Sequence, residues 1–295
     1  MSDVVYSLVT GASGLIGREI CHSLSKRKVP FLFLINNTRV DLKGGIPVHL
    51  DLACSDKFDR LSTYRIAEVY HCAAAIPSSK VSPEMASSIN SKIDENIGQL
   101  CKELDARMIY ISSTSVYAFP CENKIDESFM PDKKLDAYSL AKLRSEKLFK
   151  DLGLNFISLR VNAPYGENQV QKTILYRLLY SAFKNEDLYY LGDGGRKQDF
   201  THVQDIANVA IVAANQSVSG IFNISAGNPI TMKELAHLIV SLVPNCKSRV
   251  ISRDEKDFQS NHQAMYSIER AQDILGWNPE VNIRSGITKW IASTK

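Results

Sequence analysis

Val4-Val5-Tyr6-Ser7-Leu8-Val9-Thr10-Gly11-Ala12-Ser13-Gly14-Leu15-Ile16-Gly17 runs from an apolar stretch straight into three glycines spaced by three. The apolar stretch reads as a buried strand, and the residues from Gly14 onward read as a helix. Gly11 permits a tight turn because it has no Cβ to clash at unusual φ. Gly14 lets a pyrophosphate approach the backbone, and Gly17 lets the new helix pack close to the strand. The helix then aims free N–H groups and its positive dipole end at the phosphates, with Ser13, Leu15 and Ile16 completing the cradle. A glycine triplet alone is common. Its strand–turn–helix setting is what makes it a dinucleotide signal.

Outward from this turn, strand-like runs at 31–35, 47–50, 68–73, 108–111 and 155–159 alternate with helical stretches at 16–27, 85–104 and 137–151. Such alternation predicts an α/β fold with a Rossmann-type doubly wound parallel sheet. Right-handed crossovers put the C-terminal ends of all its strands on one edge, where ligands bind. Beyond about 165 the rhythm changes. Helices are expected at 173–184, 203–215, 232–243 (capped by Thr231), 268–275 and 283–291, and a strand at 221–224. We read 1–165 as the dinucleotide-binding domain, with 205–225 returning to it. Residues 166–204 and 226–295 form a smaller C-terminal α/β substrate lobe.

Bulk composition excludes several classes. The net charge of +3 over 295 residues is too small to argue for nucleic acid or membrane binding. No apolar stretch is long enough to span a bilayer. The chain begins on a core strand, which leaves no room for a signal peptide. Six cysteines, at 21, 54, 72, 101, 121 and 246, show no CxxC pair or metal-ligand rhythm, so no metal is expected. Several sit in apolar runs as small hydrophobes, which fits a reducing cytoplasm.

Two segments carry hydroxyls to the cofactor edge. One is Tyr110-Ile111-Ser112-Ser113-Thr114-Ser115-Val116-Tyr117, at a strand end. The other is Tyr138-Ser139-Leu140-Ala141-Lys142, where Tyr and Lys four apart share a helix face. With 12 tyrosines in the chain, a Tyr-x-x-x-Lys step arises by chance about once, so spacing alone decides nothing. The chain has a second, Tyr180 to Lys184, on a helix whose Leu175, Leu178, Leu179 and Phe183 read as core. Position inside the α/β repeat singles out Tyr138. Hydride transfer at a carbonyl needs a proton moved at the oxygen. A free tyrosine, with a pKa of about 10, is a poor base, and a nearby ammonium favours its phenolate. Ser113 would hydrogen-bond the same oxygen.

Together these pieces resemble the extended short-chain dehydrogenases/reductases, the NAD-dependent epimerase/dehydratase type that modifies nucleotide sugars. The resemblance spans nearly the whole chain. It rests on the 10–17 loop, His71-Cys72-Ala73-Ala74, Asn90, Ile111-Ser112-Ser113 with Val116-Tyr117, and Tyr138 with Lys142. It continues through Gly192-x-Gly194, Gln198-Asp199-Phe200, His202-Val203 with Asp205, Asn223-Ile224 with Gly227, and Ala271 with Leu275-Gly276-Trp277. It implies Tyr138 as acid/base, Lys142 as its tuner and ribose anchor, and Ser113 as the orienting hydroxyl. Asn90 would support a water relay. Ala73 and Ala74 would lie beside the cofactor, and Asp51-Leu52 would contact adenine. It also implies pairing of two copies through the helices at 85–104 and 137–151, although the first of these is polar.

The pattern departs in places. Where the family's dehydratases carry an acidic pair, this chain has Thr114 and Ser115, so 4,6-dehydration is not expected. The second strand ends at Asn36, without the carboxylate that binds a ribose 2′-hydroxyl. Arg39 is either a 2′-phosphate partner or an ordinary loop charge, and the choice between NAD and NADP tilts toward NADP. Ala163 stands where an asparagine contacts substrate phosphates, with Asn162 one place early. Arg196 and Arg253 are candidate diphosphate contacts, and Thr114 a candidate sugar contact. The resulting expectation is an NAD(P)-dependent oxidoreductase acting on a nucleotide-activated sugar, with 4-keto reduction favoured over 4-epimerisation. A small-carbonyl reductase without a nucleotide substrate is an alternative, motivated by Ala163. A non-catalytic NAD(P)-sensing protein is another, opposed by the retained Tyr138 and Lys142.

Overall fold

The computed structural model describes residues 4–36, 40–77, 79, 81–118, 124–131 and 134–294. Strand β1 (Val5–Thr10) enters the glycine turn and helix α1 (Leu15–Lys26) leaves it. Strands β2 (Phe31–Ile35), β3 (Gly45–His49), β4 (Arg65–His71), β5 (Arg107–Ser113) and β6 (Phe156–Val161) follow. Helix α2 (Pro83–Leu104) joins β4 to β5, and α3 (Ala137–Asp151) joins β5 to β6. The later strand Gly220–Ile224 pairs beside β6. The main sheet therefore has seven strands, ordered Gly220–Ile224, β6, β5, β4, β1, β2, β3. Every pairing in it is parallel. β1 lies between β2 and β4, so the chain winds outward both ways from it, and the crevice above that switch point is where such sheets take ligands.

Both faces of the sheet are covered, as the continuous apolar runs of a parallel sheet require. On one face Ile20 and Leu24 of α1 pack with Ile206 and Ala210 of the helix Val203–Ala214. On the other, Ile97 and Leu100 of α2 and Phe149 of α3 cover Leu8, Val69 and Met108. Burying each such side chain contributes roughly 1.5–3 kcal/mol. β2 is buried throughout, whereas β3 is an exposed edge that tolerates Pro47. α2 starts on the Ser82 cap with Pro83 in its first turn. Asp136 caps α3 by accepting from the Ser139 N–H at 2.7 Å. These caps place the start of each helix, and with it the azimuth of Asn90, Tyr138 and Lys142.

The C-terminal lobe has its own core around Tyr165, Leu179, Leu235 and Trp290. Thr231 caps the helix Met232–Leu242, as its sequence predicts, and the structure adds a full capping box with Glu234. A short parallel pair, Leu188–Leu191 with Val250–Arg253, was not expected from the sequence. No helix among the described residues is long and apolar enough to cross a membrane.

Candidate active site

The glycine turn is tight at two of its three glycines. Gly11 has φ +65°, and a Cβ there would lie 2.7 Å from the backbone nitrogen of Ala73. The turn is therefore pressed against the chain that leaves β4. A Cβ on Gly17 would lie 2.4 Å from the carbonyl oxygen of Gly11, so α1 and the turn share a contact that no other residue fits. Gly14 differs: its Cβ would meet only that same oxygen, at 3.2 Å, and its outer side is exposed beside exposed Ser13. It is the N-cap of α1 and supplies no side-chain bond to the first turn. The leading N–H groups, those of Leu15, Ile16 and Gly17, thus stay available to an anion. We expect Gly17→Ala to lower stability by about 1–3 kcal/mol, as overpacking does. Urea unfolding should show it as a lower midpoint with an unchanged slope, and an unaltered midpoint would contradict this contact.

Tyr138, Lys142, Asn90, Ala73 and Ala74 line one narrow crevice, with Asp94 and Tyr110 at its base. Tyr138 is 37% exposed, whereas Lys142 is buried. The Lys142 ammonium donates to the Ile111 carbonyl at 2.7 Å and lies 4.5 Å above the Tyr110 ring and 5.8 Å from the Tyr138 ring. Burial pushes this ammonium toward deprotonation, but Tyr110, Tyr138 and Asp94 oppose it, and its pKa ends above the ordinary lysine value. Two residues beyond Ile111, Ser113 ends β5. Its Oγ accepts from the Ser115 N–H at 3.1 Å.

Asn90 uses its amide in both directions on Ala75, donating to the carbonyl at 3.0 Å and accepting from the N–H at 2.6 Å. It braces the strand end on which Ala73 and Ala74 sit. Thr114 and Asn162 meet each other rather than an open surface: both are buried, and Thr114 donates to Asn162 at 3.1 Å. Asn162 in turn donates to the Asp199 carbonyl at 2.9 Å. Asp51 accepts from the Ala53 N–H, and the Leu52 carbonyl is held by Asn96 of α2 at 2.9 Å. Asn36 is exposed at the end of β2, whose Ile35 carbonyl binds the Leu50 N–H. Arg39 and Cys121 lie outside the described residues.

The two arginines that are candidate diphosphate contacts have partners in the C-terminal lobe. Arg196 pairs with Asp257 at 3.1 Å and donates to Gln259, and Arg253 stacks on Tyr189 at 4.4 Å. Neither lines the crevice. Tyr180 stacks on Tyr176 at 4.1 Å and belongs to the lobe's core, as its apolar neighbours predicted.

Beneath the crevice lie polar groups whose connection no motif of the sequence announces. Thr10, His71, Asp94, Tyr110 and Ser145 form a bonded chain there. Glu146 and Arg160 form a buried ion pair at 2.7 Å beside it. One signal was present. The four-residue step from Tyr138 to Lys142 continues to Glu146, and the same step leads from Asn90 to Asp94.

The model of the NAD dependent epimerase/dehydratase family matches residues 7–225. The chain belongs to that family. It is an enzyme of this nucleotide-sugar-modifying class. It is similar to the UDP-glucuronate 4-epimerase of Thermodesulfobacterium geofontis, 24% identical over 98% of this chain and 96% of that one. It is also similar to the dTDP-4-dehydro-6-deoxyglucose reductase of Escherichia coli, 25% identical over 98% and 97% of the two chains. The crystal structure of the UDP-glucose 4-epimerase of Thermotoga maritima with UDP-glucose has the same fold, with a TM-score of 0.86, 18% identity and 98% of both chains covered.

Proposed function

We propose that this chain is a nucleotide-sugar 4-epimerase working by hydride transfer at C4. The observation that carries the proposal is the shared crevice. Tyr138 and Lys142 open beside Ala73 and Ala74, and Gly11 packs on that same strand end. A proton-moving group and the dinucleotide turn are thus neighbours. 4-Epimerases among the relatives favour epimerisation, which reverses the order in which the sequence ranks it against 4-keto reduction.

The turn fits a dinucleotide, because no side chain caps the first turn of α1 and Gly14 has its outer side open. The N–H groups of Leu15, Ile16 and Gly17 would hold the pyrophosphate, and Asp51-Leu52 would border the adenine. A nicotinamide bound there would supply reversible hydride acceptance to C4 of the sugar. Tyr138 takes the proton from the 4-hydroxyl and later gives it back. Lys142, fixed on the Ile111 carbonyl, favours the phenolate with its charge. Ser113 Oγ accepts from the Ser115 N–H, which leaves its own hydrogen free to be donated to the sugar oxygen. Return of hydride to the opposite face requires the 4-keto sugar to turn in the site. NAD suits this cycle, since nothing is consumed. We expect Gly14→Ala to weaken dinucleotide binding roughly ten-fold or more by filling the backbone approach. Isothermal titration with NAD checks this, and wild-type affinity would count against the cradle.

A second reading has its own support. Asn36 removes the carboxylate that would exclude NADP, and the Escherichia coli relative is a reductase. The deciding experiment supplies UDP-glucose, UDP-glucuronate and a dTDP-4-keto sugar in turn. Epimerisation gives a 4-epimer with no net change in nicotinamide absorbance. Reduction instead consumes NADPH one for one with the keto sugar and leaves UDP-sugars untouched. Failure of all three substrates would overturn both readings.

A further inference from the structure

The groups under the crevice form a directed chain. Thr10 Oγ accepts the N–H groups of Cys72 and Ala73, both at 3.1 Å, so its own hydrogen goes to His71 Nδ1 at 2.8 Å. That assignment leaves the His71 proton on Nε2, where it donates to Asp94 at 2.8 Å. The other oxygen of Asp94 accepts from Ser145 of α3 and from Tyr110 of β5, the latter at 3.3 Å. Thr10 and His71 are fully buried and Asp94 is nearly so. Burial pushes the Asp94 carboxyl up, but the His71 bond, Lys142 and Ser145 outweigh it and hold it below the usual carboxylate range.

A buried anion thus shares the crevice with a buried cation. The groups that face Lys142 come from every neighbouring element: Tyr110 from β5, Asp94 from α2, Tyr138 from its own helix and Cys72 from the end of β4. Burial pushes the Tyr110 hydroxyl and the Cys72 thiol up, so both stay neutral near neutral pH. Asp94 is then the anion that balances the ammonium.

We propose that Asp94 is a positioning residue of the hydride-transfer site. Its carboxylate counterbalances Lys142, and its bonds tie α3, through Ser145, to the backbone of Cys72 and Ala73 beneath the glycine turn. The proposal rests on the hydride-transfer reading of the crevice. Two consequences follow from the geometry. The distance between the proton-moving face of α3 and the dinucleotide turn is set by hydrogen bonds as well as by packing. The field that Lys142 exerts on Tyr138 is partly offset by Asp94.

The test is Asp94→Asn, which keeps the shape and an acceptor for His71 but removes the charge. Ultraviolet difference titration, with each protein's Tyr138→Phe counterpart subtracted, follows the Tyr138 phenolate without substrate. We expect its midpoint in Asp94→Asn to move to lower pH by about half a unit or more, because the ammonium's field is no longer offset. The acid limb of kcat should move the same way, with kcat falling roughly ten-fold and KM held within about three-fold. An unmoved or raised phenolate midpoint overturns the role of Asp94, whatever turnover does. If the midpoint falls while wild-type protein turns over no nucleotide sugar, the hydride-transfer reading fails and the charge balance stands. Should Asp94→Asn lose its cooperative unfolding transition, Ser145→Ala leaves the charge and removes the tie to α3. Its kcat should fall with wild-type cofactor affinity, and an unchanged kcat overturns the tie.

Discussion

Tyr138→Phe is expected to lower turnover by roughly two to four orders of magnitude, the range that a positioned acid/base supplies. Stability and dinucleotide affinity should stay near those of the wild type. The side chain is 37% exposed at the start of α3, so its hydroxyl supports no core packing. The ring remains in the variant, and the main anchor of Lys142 is the Ile111 carbonyl rather than Tyr138. The loss should therefore appear in kcat, with nucleotide-sugar binding kept. Tyr180→Phe is the matched control. It removes the hydroxyl of the chance Tyr-x-x-x-Lys pair, whose ring packs on Tyr176, and should leave turnover unchanged. Equal turnover in Tyr138→Phe and the wild type would remove Tyr138 from the mechanism.

How much of this was visible in the residues depends on whether the signal was local. The glycine turn and the Tyr138–Lys142 pair are set within single elements, and pattern reading reaches them. So is β2, where five buried residues in a row can only be an inner strand. The apolar run marks β4 only from 68, three residues after the strand begins at Arg65, because its first residues alternate exposed and buried. The pair Leu188–Leu191 with Val250–Arg253 joins segments about sixty residues apart, and neither announces its partner. The partners of Arg196 and Arg253 are likewise not legible, because a charged residue does not announce that Asp257 or Tyr189 will come to meet it. The path from Thr10 to Ser145 crosses β1, β4, α2 and α3, so it exists only after folding. Reduction and epimerisation separate for a different reason. Both use the same proton and hydride partners, and they differ in whether the cofactor leaves. No single residue spells that out.

The largest stability effect should come from Glu146→Ala, one helical turn beyond Lys142. The Arg160 and Glu146 side chains are only 7% and 5% exposed and meet at 2.7 Å. Glu146 Oε1 also accepts from Ser112 at 2.7 Å, Ser158 at 2.8 Å and Arg160 Nε at 3.1 Å. α3 is thereby bolted to β5 and β6 at the depth where Lys142 reaches Ile111. Burial alone would push the Arg160 guanidinium toward deprotonation, and Glu146 more than reverses that, so its pKa ends above the ordinary value. Truncating Glu146 leaves that cation in the core with the Tyr117 hydroxyl at 2.9 Å and a longer contact to the Glu127 carbonyl. Breaking one side of a buried pair costs about 3–5 kcal/mol, a large share of the roughly 5–15 kcal/mol that holds a domain folded. Urea unfolding of Glu146→Ala should show that loss, and kcat should fall with it as Lys142 loses its seat. Removing both charges tests the cause. Glu146→Leu with Arg160→Met leaves no unpaired ion and should recover much of the stability, since buried pairs often exchange for apolar residues at little net cost. A single-variant loss below about 1 kcal/mol would place the site among surface-like pairs and refute the bolt. A double variant no better than the single would assign the loss to packing instead of charge.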